Sequence, residues 1–85
     1  MATPPPISPV RVASVADIAE VARVARAASG TDQATAAGLA GVGVRFLGEL
    51  ERGKPTLRLG LVLRVLDRLG LDVWIAPRGW RPRSE

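Results

Sequence analysis

The chain is punctuated by glycine. From residue 14 onward, stretches of helical period are closed in turn by Gly30, Gly41, Gly53 and Gly70. Helices this short are marginal alone in water, so any fold must come from packing them against one another. Ser14 stands where a helix N-cap belongs, and Asp17 three residues on makes a near capping box. Over residues 15–28, Ile18, Val21, Ala22 and Ala25 can share one face, with Glu20, Arg23 and Arg26 towards the other. Gly30 suits the end of this first helix.

A second helix is expected over residues 33–39, capped by Thr31 or Asp32; the sequence does not choose between them. Ala36, Ala37 and Ala40 are small enough to let a neighbouring helix approach closely. Gly41 makes a turn, and a third helix follows over residues 43–50, with Val42, Leu47 and Leu50 on its buried side. Residues 51–55, Glu-Arg-Gly-Lys-Pro, read as a helix stop and a loop. Thr56 can cap a fourth helix that ends at Leu69. There, Leu59, Val62, Leu63, Leu66 and Leu69 form an apolar stripe, widened by Leu61 and Val65. The stripe is broader than one small core needs, which assigns Leu63 and Leu66 to a subunit interface.

Residues 71–75, Leu-Asp-Val-Trp-Ile, are β-branched and aromatic and read as one short strand. A lone strand leaves its backbone groups unpaired. Pairing with the same strand of a second copy, about a two-fold axis, satisfies them. Leu71, Val73, Trp74 and Ile75 are therefore assigned to dimerisation. The expected fold is all-α: four helices over residues 13–75, with one C-terminal strand that pairs across a homodimer. A proline-rich arm at 1–12 is expected to be disordered, and a basic tail at 76–85, carrying Trp80, to be flexible.

Composition narrows the function. The 85 residues suffice for one domain and contain neither cysteine nor histidine. Disulfides, thiolate metal sites and cysteine catalysis are excluded, and the commonest general base is missing. No nucleophile–base pair or phosphate loop is visible. Gly41-Val42-Gly43 is too short for a dinucleotide fingerprint and follows no strand. The expectation is a protein that is not an enzyme and uses no cofactor and no metal. Its net charge is +4, and eleven of its twelve basic residues are arginine. Arginine suits phosphate and guanine, but a GC-rich genome produces the same bias. No apolar run approaches the roughly 18–20 residues that cross a membrane. The first ten residues have four prolines and no apolar signal segment, so a bacterial cytoplasmic location is expected.

The most informative stretch is residues 33–54. Gln33, Ala37, Leu39, Ala40, Gly41, Val42, Leu47, Leu50, Glu51, Gly53 and Lys54 stand at fixed spacing across the second and third helices. With these residues the chain resembles the Xre-type, lambda-repressor-like helix-turn-helix family. Over residues 14–75 it is similar to the HipB-type antitoxin branch, with an arginine-bearing first helix, Leu69-Gly70-Leu71 after the fourth, and a terminal strand. The resemblance implies a homodimer joined by that strand and bound to double-stranded operator DNA, a repressor associated with the nucleoid when bound. It further implies a HipA-type kinase toxin as partner. Stand-alone regulators share the pattern, and an interaction module that has lost DNA binding is the third reading.

Physical chemistry gives each position a role on that surface. A helix N-terminus favours a DNA phosphate, and Gln33 stands there. The start of the third helix would enter the major groove, which puts Gly43, Val44, Arg45, Phe46 and Glu49 on the DNA side. Arg45 is the candidate for guanine readout, against a phosphate contact or a solvated side chain. Val44 can meet a thymine methyl, and Glu49 can accept from cytosine N4. Phe46 fits either the groove or the core. Arg52 and Lys54, in the following loop, are assigned to phosphates. Three departures from the family pattern stand out. Gly43 replaces a capping Ser or Thr, Gly48 lies inside the third helix, and Glu49 brings negative charge towards DNA.

Overall fold

The computed structural model describes residues 8–80, which form four α-helices and no strand. They are α1 (Val15–Ala28), α2 (Gln33–Ala40), α3 (Val44–Glu51) and α4 (Leu59–Arg68). The parts of the expected arm and tail at 1–7 and 81–85 lie outside the described residues. Residues 8–13 are exposed, irregular chain beside α1.

The helix starts follow local chemistry. Before α1, Asp17 Oδ2 accepts the backbone N–H groups of Ala13 (2.8 Å) and Ser14 (3.1 Å), fixing the chain entry. Asp32, rather than Thr31, caps α2: its Oδ1 accepts the Thr35 N–H at 2.7 Å. Gly41 ends α2 with φ of +70°, a left-handed conformation that costs a side-chain-bearing residue 1–2 kcal/mol or so. Its N–H returns to the carbonyls of Ala37 and Gly38, and the Val42 N–H to Ala37 O at 3.0 Å. Three residues, Gly41 to Gly43, thus turn the chain from α2 into α3, the short glycine-bearing connection of a helix-turn-helix.

Thr56 does not cap α4. The helix begins three residues later, with Arg58 at its cap and no side-chain bond there. Residues 55–57 form a turn that carries Leu57 onto the core, which delays the helix.

α2 packs against both α3 and α4, and α1 against α3. Among the described residues, eleven hydrophobic ones are buried: Ala19, Ala22, Ala25, Ala36, Ala37, Ala40, Leu47, Leu50, Val62, Val65 and Leu66. Six of them are alanine, so the helices approach closely but remove little apolar surface each. The larger side chains come from α3 and α4, with Leu47, Leu50 and Val65 almost fully enclosed. Ile18, Val42, Phe46, Leu57, Leu69 and Leu71 flank this cluster.

Two residues assigned to the interface pack against the chain's own core. Leu66 is buried in the chain's own core, because the α4 stripe turns it towards α2; Leu59 and Leu63 remain outside. Leu71 also packs inward, its N–H bonded to Leu66 O at 3.0 Å. Residues 71–75 form no strand in the single chain, since nothing among the described residues pairs with them. Val73, Trp74 and Ile75 are exposed, Trp74 at 83% and Ile75 at 97%.

Leu47 is the keystone of this small core. Leu47→Ala is expected to lower stability by about 2–5 kcal/mol, measured by urea unfolding. An unchanged midpoint would contradict the packing described.

Candidate nucleic-acid interface

α3 is amphipathic around one sharp boundary. Leu47 and Leu50 point inward, while Gly43, Val44 and Arg45 at its start are exposed, Val44 at 52%. Phe46 is half-buried and packs against the core, one of the two roles its position allows. Glu49 is partly covered, and Arg52 and Lys54 are exposed beyond the helix. The charges of Arg45, Arg52 and Lys54 all reach Glu49, which gathers them along the exposed side of α3.

Behind this face lies the one buried charged residue among the described residues, Glu51, only 4% exposed. Glu51 is four residues after Leu47, hence on the same inward face. Arg26 of α1 meets it with both ends of its fork: Nε donates to Oε2 at 2.6 Å and Nη2 to Oε1 at 2.8 Å. Arg26 Nη1 also donates to Thr31 O at 2.9 Å, reaching the loop before α2. Gln33 Nε2 donates to Glu51 Oε1 at 3.0 Å, and Arg23 Nη1 donates to the Glu51 carbonyl. One carboxylate thus joins α1, the start of α2 and the end of α3.

Burial works against the charged form of Glu51, but hydrogen bonds from Arg26 and Gln33, with the Arg26 and Arg23 charges, outweigh it. Its pKa is held below the usual glutamate value. The same hydrogen bond raises the pKa of Arg26.

The site residues are not all free for a ligand. Gln33 has one amide hydrogen committed to Glu51, so it serves the scaffold first. Asp32 adds negative charge at the start of α2; the Thr35 backbone N–H holds its pKa down. The Gln33 and Ala34 amides of that first turn have no partner among the described residues. Lys54 Nζ bonds Glu49 Oε2 at 2.8 Å, the lysine 46% and the glutamate 19% exposed. The Lys54 hydrogen bond, followed by the charges of Lys54, Arg45 and Arg52, lowers the pKa of Glu49. An exposed ion pair of this kind is weak and salt-screened, so Lys54 can exchange partners.

The sequence pattern did not reveal Arg23 and Arg26 as site supports; their helix face reads as solvent. The signal was Glu51 itself. A carboxylate on the apolar side of α3 needs a cation, and only long arginine stems can bring one from α1 without burying it.

Glu51 also sets an acid limit on the fold. Its folded pKa lies below the unfolded value of about 4.3, so its contribution is present above that value and lost as pH falls through the folded one. Glu51→Gln should cost about 1.5–3 kcal/mol at neutral pH, the worth of a charged hydrogen bond. Its stability should also fall less steeply than the wild type's below about pH 4.3, as followed by thermal unfolding across pH. Parallel profiles would contradict this role.

No family model matches the chain. It is similar to an uncharacterised helix-turn-helix-type transcriptional regulator, y4mF, of Sinorhizobium fredii (strain NBRC 101917 / NGR234), with 51% identity over 49 residues. The matched segment is 58% of this chain, and the chain spans 64% of the regulator's length. The α2–turn–α3 unit described above is thus found in a chain similar to a helix-turn-helix regulator.

Proposed function

We propose that this chain is a homodimeric, sequence-specific DNA-binding repressor of the bacterial cytoplasm, bound to the nucleoid through its operator. The observation that carries the reading is the helix-turn-helix with Val44 and Arg45 exposed at the start of α3 and Arg52 and Lys54 beyond its end. The likeness to a helix-turn-helix-type regulator supports it. In this reading α3 enters the major groove, Arg45 meets guanine, and Val44 packs on a thymine methyl over the close approach that Gly43 allows. Glu49 accepts from cytosine once Lys54 has turned to a phosphate. Arg52, Lys54, and Gln33 with the first-turn amides of α2 hold the backbone. Phe46 contributes through its uncovered edge.

The second subunit is assigned to Leu63 of α4 and to the segment after it. Backbone groups of residues 72–76 have no hydrogen-bond partner among the described residues, and Val73, Trp74 and Ile75 lie exposed beside them. A two-fold copy of the same segment pairs these groups and covers the apolar side chains.

On the HipB-type resemblance we extend the reading to an antitoxin that represses its own operon and restrains a HipA-type kinase toxin. A neighbouring kinase-like gene supports that extension; its absence leaves a stand-alone regulator. The Lys54–Glu49 pair and the committed Gln33 favour a second reading, an interaction module without DNA binding.

Selection of DNA sites from a random pool, followed by gel shifts, separates these. Wild type is expected to enrich a two-fold site and lose affinity steeply with salt. Arg45→Ala should lose about 1–3 kcal/mol of discrimination at a single base pair in each half-site. No enriched site favours the interaction module. Truncation after Leu71 is expected to shift sedimentation from dimer to monomer; an unaltered dimer would refute the paired strand.

A further inference from the structure

Three glycines lie inside helices: Gly38 in α2, Gly48 in α3 and Gly60 in α4. Glycine is, after proline, the least favourable residue in a helix interior. None of the three has the positive φ that excludes other residues, so backbone geometry does not require them. Space distinguishes them. A methyl group at Gly38 or Gly60 would have nothing within 4 Å. At Gly48 it would stand 3.2 Å from Arg52 Nη1, 4.0 Å from Arg52 Cζ and 3.7 Å from Gln33 Oε1. The guanidinium of Arg52 thus lies folded back over the bare backbone of α3, beside the side chain that begins α2.

That arrangement has a direction. Arg52 follows Gly48 by four residues and occupies the C-cap of α3 in helical conformation, φ −92° and ψ −1°. Its stem therefore leans back over the preceding turn, where Gly48 offers no obstruction. Gln33 cannot move aside freely, because its Nε2 is held by Glu51, which Arg26 holds in turn. The guanidinium has no hydrogen-bond partner among the described residues, so its donors remain available on the side of α3 that meets the Gln33 side chain, where α2 begins with the backbone N–H groups of Gln33 and Ala34 unpaired among the described residues.

We propose that Gly48 is a positioning residue: by lacking a side chain it keeps the Arg52 guanidinium against α3 beside Gln33, so that Arg52 and the first turn of α2 grip one DNA phosphate together. The proposal rests on the DNA-binding reading above. It accounts for a glycine kept at a buried helical position where alanine is the better helix former. The nearest obstructing atom is the end of a flexible side chain, so alanine fits once the Arg52 guanidinium yields by a few tenths of an ångström. The fold survives that change, while the guanidinium is pushed off its seat beside Gln33 and the shared grip weakens.

The test compares Gly48→Ala, Gly38→Ala, Arg52→Ala and the double variant Gly48→Ala/Arg52→Ala as full chains. Each is measured by thermal unfolding and by titration of a random-sequence 30-base-pair duplex at several salt concentrations. Gly48→Ala should unfold at the wild-type temperature or above, bind severalfold more weakly, and lose part of the slope of log K against log salt, up to one phosphate's share of about 0.9, which Arg52→Ala should lose in full. Gly38→Ala should match wild-type binding. The double variant should bind like Arg52→Ala alone, because the two changes act through one contact. In the free protein, NMR should show cross-peaks between the Arg52 side chain and Gly48 Hα, and Gly48→Ala should shift the Arg52 Nε–H resonance. Wild-type binding by Gly48→Ala overturns this proposal alone, as does an additive double variant or an unmoved Arg52 resonance. Absence of salt-dependent binding by the wild type overturns the DNA reading and the phosphate grip with it.

Discussion

The rest of the architecture hangs on one desolvated carboxylate. Glu51 ends α3 on the side that faces the core, where an unpaired charge cannot remain. Its two oxygens are claimed by Arg26 and Gln33, and its carbonyl by Arg23. The core beneath is rich in alanine, which brings helices together but discriminates poorly between their registers. Directional bonds can supply what such a core lacks. The fork of Arg26 fixes α1 against the end of α3, and Gln33 fixes the start of α2 against the same point. The angle between the two helices of the turn is thereby set by bonds that converge on one carboxylate.

Much of the fold was legible in the sequence. Glycine stops and apolar periodicity gave α1, α2 and α3 to within a residue or two, because Asp17 and Asp32 fix the starts of α1 and α2, α1 and α3 carry an apolar stripe, and a glycine follows each helix. α4 began late because Pro55 and Thr56 look like a helix start, while Leu57 is drawn into the core before the helix begins. Leu66 turns into the chain's own core, which the stripe could not indicate, because its width does not say which side meets that core. The segment at 71–75 has β propensity but finds no pairing partner among the described residues, so it stays irregular in the single chain.

The candidate site was less legible than the scaffold. Residue types suggested donors at Gln33 and Lys54, but not that each already has an acceptor within the chain. Pairing of that kind depends on where side chains from separate elements converge, and spacing along one helix cannot report it. Gly48 shows the converse. By propensity it is a defect in a short helix, and the use proposed for it comes only from its neighbours in space.

The Lys54–Glu49 pair has one more consequence. Glu49 places a carboxylate oxygen 2.8 Å from the Lys54 ammonium, the position a phosphate oxygen takes in the proposed complex. The free protein carries its own imitation of the polyanion on the face proposed to receive it. Any nucleic acid engaging Lys54 competes with that internal anion, so engagement is an exchange of partners rather than the capture of an idle charge. Weak, sequence-blind encounters gain little from such an exchange. A duplex that also offers Glu49 a donor recovers what the exchange costs, so a residue that opposes binding in general can sharpen the choice of where to bind.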